Sequence, residues 1–395
     1  MSIPPSRTVL DAKALARALC LRDLTDPAQG PHAMQELLSD LERALTAAWG
    51  CPWQTSRAHP VVSVDENYDR LLYPPDGPAR DARHTRYVSE DTLLRTHTSA
   101  LVPGALLDLA PAPPPDVLLV CPGLVYRRDA IDRLHTGEPH QVDLWRIRAG
   151  PPLLRRDLHE MIRGVATTAL PGREVRWSPA AHPYTLDGLQ VDVAVNGAWV
   201  EIGECGLAHP AILKRAGLPI SRHSGLAMGL GLDRILMLRK GLPDIRLLRS
   251  EDPRVAAQML DLGPYRPVSS RPAVRRDLSI AVSAADTLED LGDRVRTSLG
   301  GEADAVEEVA ILGETPLAAL SPAARERLGI VPGQKNVLVR VVLRALDRTL
   351  THPEANRLRD RIYAALHQGR RGQWAAPASE GGMAEPARVT ERNRV

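Results

Sequence analysis

Within Val117–Arg148, VLLVCPGLVYRRDAIDRLHTGEPHQVDLWRIR, the chain gathers arginine, carboxylate, amide and imidazole side chains in one short span. Apolar Val117–Val120 leads to Tyr126-Arg127-Arg128-Asp129, and a polar loop carries Asp132, Arg133 and His135. The chain resumes as His140-Gln141-Val142-Asp143-Leu144-Trp145, alternating in character. Period-two side chains on both sides of a charged loop predict an antiparallel hairpin. On that reading Arg127 and Asp129 share a face of the first strand, and Gln141 and Asp143 share a face of the second. Polar groups on a sheet face are costly to bury unless a polar ligand satisfies them, so this face suits a polar, anionic substrate. A solvated hairpin with surface ion pairs is the plainer alternative.

The elements around the hairpin follow from pattern. Residues 1–48 read as helical, with Met34, Leu37, Leu38, Leu41 and Leu45 forming an apolar stripe over Ala33–Ala48 that Gly50 and Pro52 end. Leu93–Ser99 is strand-like and ends in His97 and Ser99; a helix over about Ala100–Leu109 follows, and the rigid run Ala110–Asp116 enters the hairpin. Leu153–Leu170 is a helix with Leu154, Leu158, Met161, Ile162 and Val165 on one side. Strands follow around Glu174–Trp177 and Leu189–Val195. Glu201 then sits on a strand beside Gly203 and Gly206, where backbone comes close to a neighbour. Leu226–Met228 is a strand feeding a helix that holds Arg234 in its first turns and stops at Gly241. Beyond Gly263-Pro264 the order strand, helix, strand, strand, helix predicts a ferredoxin-like module. The tail from Arg370 has little to bury and reads as disordered.

Composition narrows the classes. With 50 basic and 48 acidic residues the net charge is +2, so bulk polycation binding to nucleic acid is not implied. Cys20, Cys51, Cys121 and Cys205 lack CxxC spacing and read as reduced thiols of a cytoplasmic protein. No signal peptide and no membrane span are expected. Lysine is confined to positions 13, 214, 240 and 335, arginine is abundant, and phenylalanine is absent.

YRRD…HQ.D (Tyr126–Asp143) and GLAMGLGLDRILML (Gly225–Leu238), together with LLRTHTSA, WVEIGECGLAHPAIL and RRDLSI…DRTLTHPEAN, occur in one family's order. The chain resembles a class II aminoacyl-tRNA synthetase of the phenylalanyl type, in the single-chain, organelle-like form. The resemblance spans roughly Cys20–Gln368. It implies an α+β fold: an antiparallel sheet flanked by helices over 1–262, a ferredoxin-fold anticodon-binding domain over 263–369, and a disordered tail over 370–395. It implies ATP and Mg²⁺, with tRNA, expected to be tRNA-Phe, and an amino acid as partners, in a monomer or homodimer. Activation forms an aminoacyl adenylate, and the aminoacyl group then passes to the tRNA. By match, Arg127 neutralises the α-phosphate, and Arg234 holds the γ-phosphate or lies against adenine. Asp129 and His135 join them in ATP binding. His97, Ser99, Gln141, Asp143, His182 and Tyr184 take the amino acid, and Glu201 helps hold Mg²⁺.

Some motif positions depart from the pattern. An FPF segment is His182-Pro183-Tyr184 here, FHQ is Pro139-His140-Gln141, and GFAFG is Gly225-Leu226-Ala227-Met228-Gly229. Two other readings stay open at this level: the same chemistry on a different amino acid, aromatic or non-standard, and a non-catalytic tRNA-binding paralogue.

Overall fold

The computed structural model describes residues 9–82, 84–128, 132–268 and 271–372. Helices α1 (Ala12–Leu19) and α2 (Ala33–Trp49) lead into β1 (Trp53–Thr55). A small sheet follows, from β2 (Val61–Ser63), β3 (Arg86–Tyr87) and β4 (Thr92–Leu94). Then come α3 (Val102–Leu109), β5 (Asp116–Leu124), β6 (His140–Ala149) and α4 (Arg155–Ala169). Strands β7 (Val175–Pro179), β8 (Thr185–Val195) and β9 (Ala198–Ala208) precede α5 (Pro210–Arg215), β10 (His223–Gly231) and α6 (Leu232–Lys240). After α7 (Pro253–Ala256) the chain forms β11 (Val274–Ser283), α8 (Leu288–Leu299), β12 (Val306–Pro316), α9 (Pro322–Leu328), β13 (Gln334–Leu343) and α10 (His352–Leu366).

Seven strands make the main sheet in the order β1-β5-β6-β10-β9-β8-β7, antiparallel except for the β1–β5 pair. Strand alternation divides it into two faces. Val142, Leu144, Leu226, Met228 and Leu230 point toward α2, α4 and α6 in one large core. The α2 stripe, Met34 to Leu45, is buried there as its spacing predicts. On the opposite face Leu119, Trp145 and Ile147 pack with α3 and α5, and Gln141 and Asp143 continue that face beyond the helices' cover. One sheet face is thus the core and the other carries the polar groups.

The second core lies in the C-terminal sheet, order β11-β13-β12, fully antiparallel, with α8 and α10 packed on it. No fourth strand follows α10 among the described residues. Instead the Gln368 amide donates to the Ala281 carbonyl (2.7 Å), and the Ala281 N–H donates to His367 Nδ1 (3.0 Å). The outer edge of β11 is therefore capped at one point by a side chain and one backbone bond, a minimal answer to the exposure of an edge strand. Lys240, fully buried, donates from Nζ to the Asp261 and Gly263 carbonyls (2.7 and 2.6 Å), pinning the segment that leaves the first core.

Several expectations need correction. Residues 20–32 are turns and one 3-10 turn rather than helix, because Asp26-Pro27 caps a short turn and Gly30 follows with φ 103°; residues 1–8 lie outside the described residues. Leu154 is the exposed N-cap of α4 and not part of its buried face. Arg127 does not lie on a strand face: β5 ends at Leu124. The Val125 N–H donates to Pro139, but Pro139 has no N–H to return, so the regular ladder stops there. Of the strand-like stretch Leu93–Ser99 only Leu93 and Leu94 lie on a strand, β4, and Thr98–Leu101 is a 3-10 turn; helix α9 and strands β2 and β3 carry no strong period that announces them.

Candidate active site

The open part of the polar face is a cleft of about 270 Å³ lined by His97, Ser99, Arg127, His135, Gln141, Asp143, Tyr184, Glu201 and Arg234. Most of the predicted site residues, scattered over more than a hundred positions, thus meet in one place. His182 stands just behind the lining against Tyr184, ring centroids 5.7 Å apart. Asp129 lies outside the described residues. A larger groove of about 1080 Å³ runs between the two cores, but neither Arg127 nor Arg234 lines it. Convergence of incompletely paired polar groups, and not volume, marks the site.

Arg127 hangs from a fixed backbone. Its N–H donates to Gly137 (2.8 Å), and Nε donates to the Thr96 carbonyl (2.8 Å). Its two terminal nitrogens donate to no described residue, and no described carboxylate lies within ion-pair distance. The neighbouring Arg95 is buried, donating to the Leu124 and Ala58 carbonyls (2.6 and 2.9 Å). Gly123, at φ +153°, leaves the room that guanidinium needs, since a Cβ there would run into it.

Arg234 is held from both sides. Nη1 donates to the Glu201 carbonyl (3.0 Å), and Nη2 donates to His135 Nε2 (3.0 Å). His135 Nδ1 in turn meets Asp132 (2.7 Å). An imidazole that accepts at Nε2 carries its proton at Nδ1, so Asp132 sets the tautomer and His135 aims the arginine. The Asp132 carboxyl stays below the usual range: burial alone would raise it, but the bonds from His135 and the Leu134 N–H outweigh that.

At the other end Asp143 is buried and accepts from Thr98 Oγ1 (2.8 Å), Ser99 Oγ (2.9 Å) and Trp145 Nε1 (3.2 Å). Burial nonetheless pushes its carboxyl up. His97 is half-buried beside Tyr73, centroids 5.5 Å apart and nearly parallel, and its two ring nitrogens, both shielded from water, have no partner among the described residues. Desolvation, with Arg127 adding to it, lowers its pKa to about 3, so the ring is neutral. Tyr184 stacks on Trp145 (6.1 Å). Behind it His182 Nε2 meets Glu204 Oε2 at 2.5 Å, a polar hydrogen bond where the resemblance implies an aromatic ring. The Gln141 amide makes no hydrogen bond to a described side chain, and it faces the cleft.

Sequence spacing missed Glu204. Glu201 and Glu204 are three apart, which in a regular strand puts them on opposite faces. In β9 Asp192 pairs with Glu201 but Val191 pairs with Gly203, so Ile202 is a bulge residue and both glutamates reach the cleft. Partial burial, then Glu204, raises the Glu201 carboxyl, although much of its side chain stays open to solvent. The close approach expected at Gly203 is present: a Cβ there would strike the Gly229 carbonyl. Tyr73, Thr98, Trp145 and Arg86 were also missed. Trp145 alone had a signal, standing two residues after Asp143 on the same strand face. Arg86, buried, donates to the Arg127 carbonyl (3.0 Å) and to Glu138 (2.5 Å), and Asp293 of α8 lies 3.7 Å away.

Two arginines with donors to spare thus face a neutral imidazole and a saturated carboxylate across a cleft on an antiparallel sheet, and the chain that carries them matches a known family. The description "tRNA synthetases class II core domain (F)" fits residues 24–259. The chain belongs to this family. It is similar to the phenylalanine–tRNA ligase alpha subunit of Prochlorococcus marinus strain MIT 9313, 36% identical over 254 residues, 63% of this chain and 74% of that one. It is similar as well to the chloroplastic/mitochondrial phenylalanine–tRNA ligase of Arabidopsis thaliana, 29% identical over 316 residues, 77% of this chain and 68% of the other. That second match is too long to end at residue 259 and so enters the C-terminal core. Among solved structures, pyrrolysyl-tRNA synthetase from Desulfitobacterium hafniense aligns at TM-score 0.43 and 18% identity, covering 56% of this chain and 74% of that one.

Proposed function

We propose that the chain activates phenylalanine with ATP and transfers it to tRNA. The observation that carries this reading is the pairing of two incompletely satisfied arginines with a closed aromatic end in one 270 Å³ cleft. A carboxylate oxygen of the amino acid attacks the α-phosphorus, and the bond to pyrophosphate breaks. The aminoacyl group then moves to a ribose hydroxyl of the terminal adenosine of the tRNA, releasing AMP. No covalent bond to the protein forms; the chain positions reactants and neutralises phosphate charge.

Arg127 offers its free fork to the α-phosphate. Arg234, aimed by His135, takes the γ-phosphate or lies against adenine. Neutral His97 can accept from the ammonium group, with Gln141 beside it, and Ser99 and Asp143 form the base of that subsite. Tyr184, backed by the fully buried Trp145, supplies a ring face for an aromatic side chain, and Tyr73 stacks on His97. Glu201 and Glu204 are hard oxygen donors whose mutual repulsion a divalent cation relieves, and among the described residues no cluster of three ligands forms a complete cage. That donor set fits Mg²⁺, which keeps waters and shares phosphate oxygens. Glu201 would hold it, and the ion would supply charge neutralisation to the phosphates.

We assign 1–262 to the catalytic domain and 263–369 to a ferredoxin-fold anticodon-binding domain, supported by the separate core and the 1-3-2 strand order. Four unpaired cysteines support a cytoplasmic location, and no described helix is long and apolar enough to cross a membrane. Amino-acid-dependent pyrophosphate exchange tests the reading. Phenylalanine is expected to give the highest kcat/KM. A higher value for another amino acid overturns the substrate, and no exchange with any amino acid overturns the catalytic role.

A further inference from the structure

The 395-residue chain contains no phenylalanine, yet it contains 7 tyrosines and 6 tryptophans. Biased base composition does not explain this. Phenylalanine and tyrosine are each read from a pair of codons of equal G+C content, so a drift that retained the tyrosines would have retained phenylalanines to a similar degree.

Packing does not explain it either. The core accepts large rings: Tyr68, Tyr87, Tyr126 and Trp145 are among its largest fully buried side chains. Each buried tyrosine needed a partner for its hydroxyl. Tyr68 donates to the Ala79 carbonyl (2.7 Å), Tyr87 to the Arg80 carbonyl (2.7 Å) and Tyr126 to the Ala18 carbonyl (3.1 Å). Phenylalanine fills such a site with no polar atom to satisfy, so burial alone favours it over tyrosine. At Leu226 and Met228, both buried under the sheet, aliphatic side chains fill the volume instead. The exclusion therefore acts on the residue type itself, in the core, at the surface and in the cleft alike.

We propose that the chain has a further function as a self-starting source of phenylalanyl-tRNA. This rests on phenylalanine being its substrate. Its synthesis consumes none of the aminoacyl-tRNA it makes, so ribosomes can complete it when that pool is empty and every phenylalanine-containing protein stalls. A synthetase with phenylalanine in its own chain cannot refill the pool from zero.

The test uses the full chain and a form carrying Leu19→Phe and Trp53→Phe, both exposed positions outside the cleft. Purified, the two forms should charge tRNA-Phe with phenylalanine equally. They are then induced in cells whose resident phenylalanine enzyme has been inactivated and whose charged tRNA-Phe has run out. The natural chain should accumulate and restore charged tRNA-Phe, and the substituted form should fall at least tenfold behind on both counts. Equal recovery by the two forms overturns the inference, as does failure of both when the purified enzyme charges the tRNA. Failure of the purified enzyme to charge tRNA with phenylalanine overturns the substrate assignment itself, a separate result.

Discussion

At the Asp143 end of the cleft the carboxylate is occupied: Thr98, Ser99 and Trp145 all donate to it. At the Arg127 end the backbone is fixed with equal care, but the terminal guanidinium nitrogens donate to no described residue. The closed end can discriminate by shape and by a few neutral hydrogen bonds, because its charge is already engaged. The open end can bind charge, because its donors still need acceptors. A site that joins an amino acid to a nucleotide phosphate needs one of each.

The largest effect should come from the open end. Arg127→Ala is expected to lower pyrophosphate exchange by about a hundredfold or more while leaving the melting temperature near that of the parent. A large loss of stability with little change in exchange would instead make Arg127 structural. The closed end should respond the other way. Asp143→Ala orphans buried hydroxyl and indole donors and should cost about 3 kcal/mol of stability, read by urea titration.

The pH dependence separates the two ends further. His97 is neutral in the fold, with its pKa lowered from 6.5 to about 3. A lowered histidine pKa means the unfolded chain binds the proton first, so this contribution is full above about pH 6.5 and is lost as pH falls toward 3. The raised Asp143 carboxyl acts oppositely, gaining stability as it protonates. His97→Gln removes only the first term. Between pH 7 and pH 4.5 it should lose less stability than the parent, by roughly 2–3 kcal/mol; parallel losses would show that the fold does not hold His97 neutral.

A smaller effect should come from behind the open end. Burial alone would raise the Glu138 carboxyl, but Arg86 holds it below its usual range, and the same guanidinium grips the Arg127 carbonyl. Arg86 is a positioning residue: Arg86→Ala should cut kcat for exchange about tenfold with little change in the KM for ATP, and Arg86→Lys should recover part of it. Asp293→Ala, which breaks the longer contacts from α8 to Arg86 and Arg128, should change stability by no more than about 1 kcal/mol. An effect larger than that of Arg86→Ala would place the control of Arg127 in the C-terminal core.

Much of this was legible in the chain. The α2 stripe, the β5–β6 hairpin, the glycines of β9 and the stop at Gly241 follow from local periods and from backbone rules that neighbours do not overrule. The identity of nine cleft residues came from motifs whose spacing reflects strands and a helix start. What escaped had no local period. Tyr73 arrives from a proline-rich turn, and Arg86 from a strand of two residues. Glu204 reaches the cleft only because Ile202 bulges against β8.

The sequence by itself determined which elements form, which face of β6 is polar, and that phenylalanine has no place anywhere in the chain. Tertiary structure decided which donors are used up and which remain. That division depends on distances between segments far apart in sequence, such as Arg234 to His135 and Arg86 to Arg127. Hydrogen-bond saturation is a property of the packed neighbourhood, and no spacing along one chain encodes it.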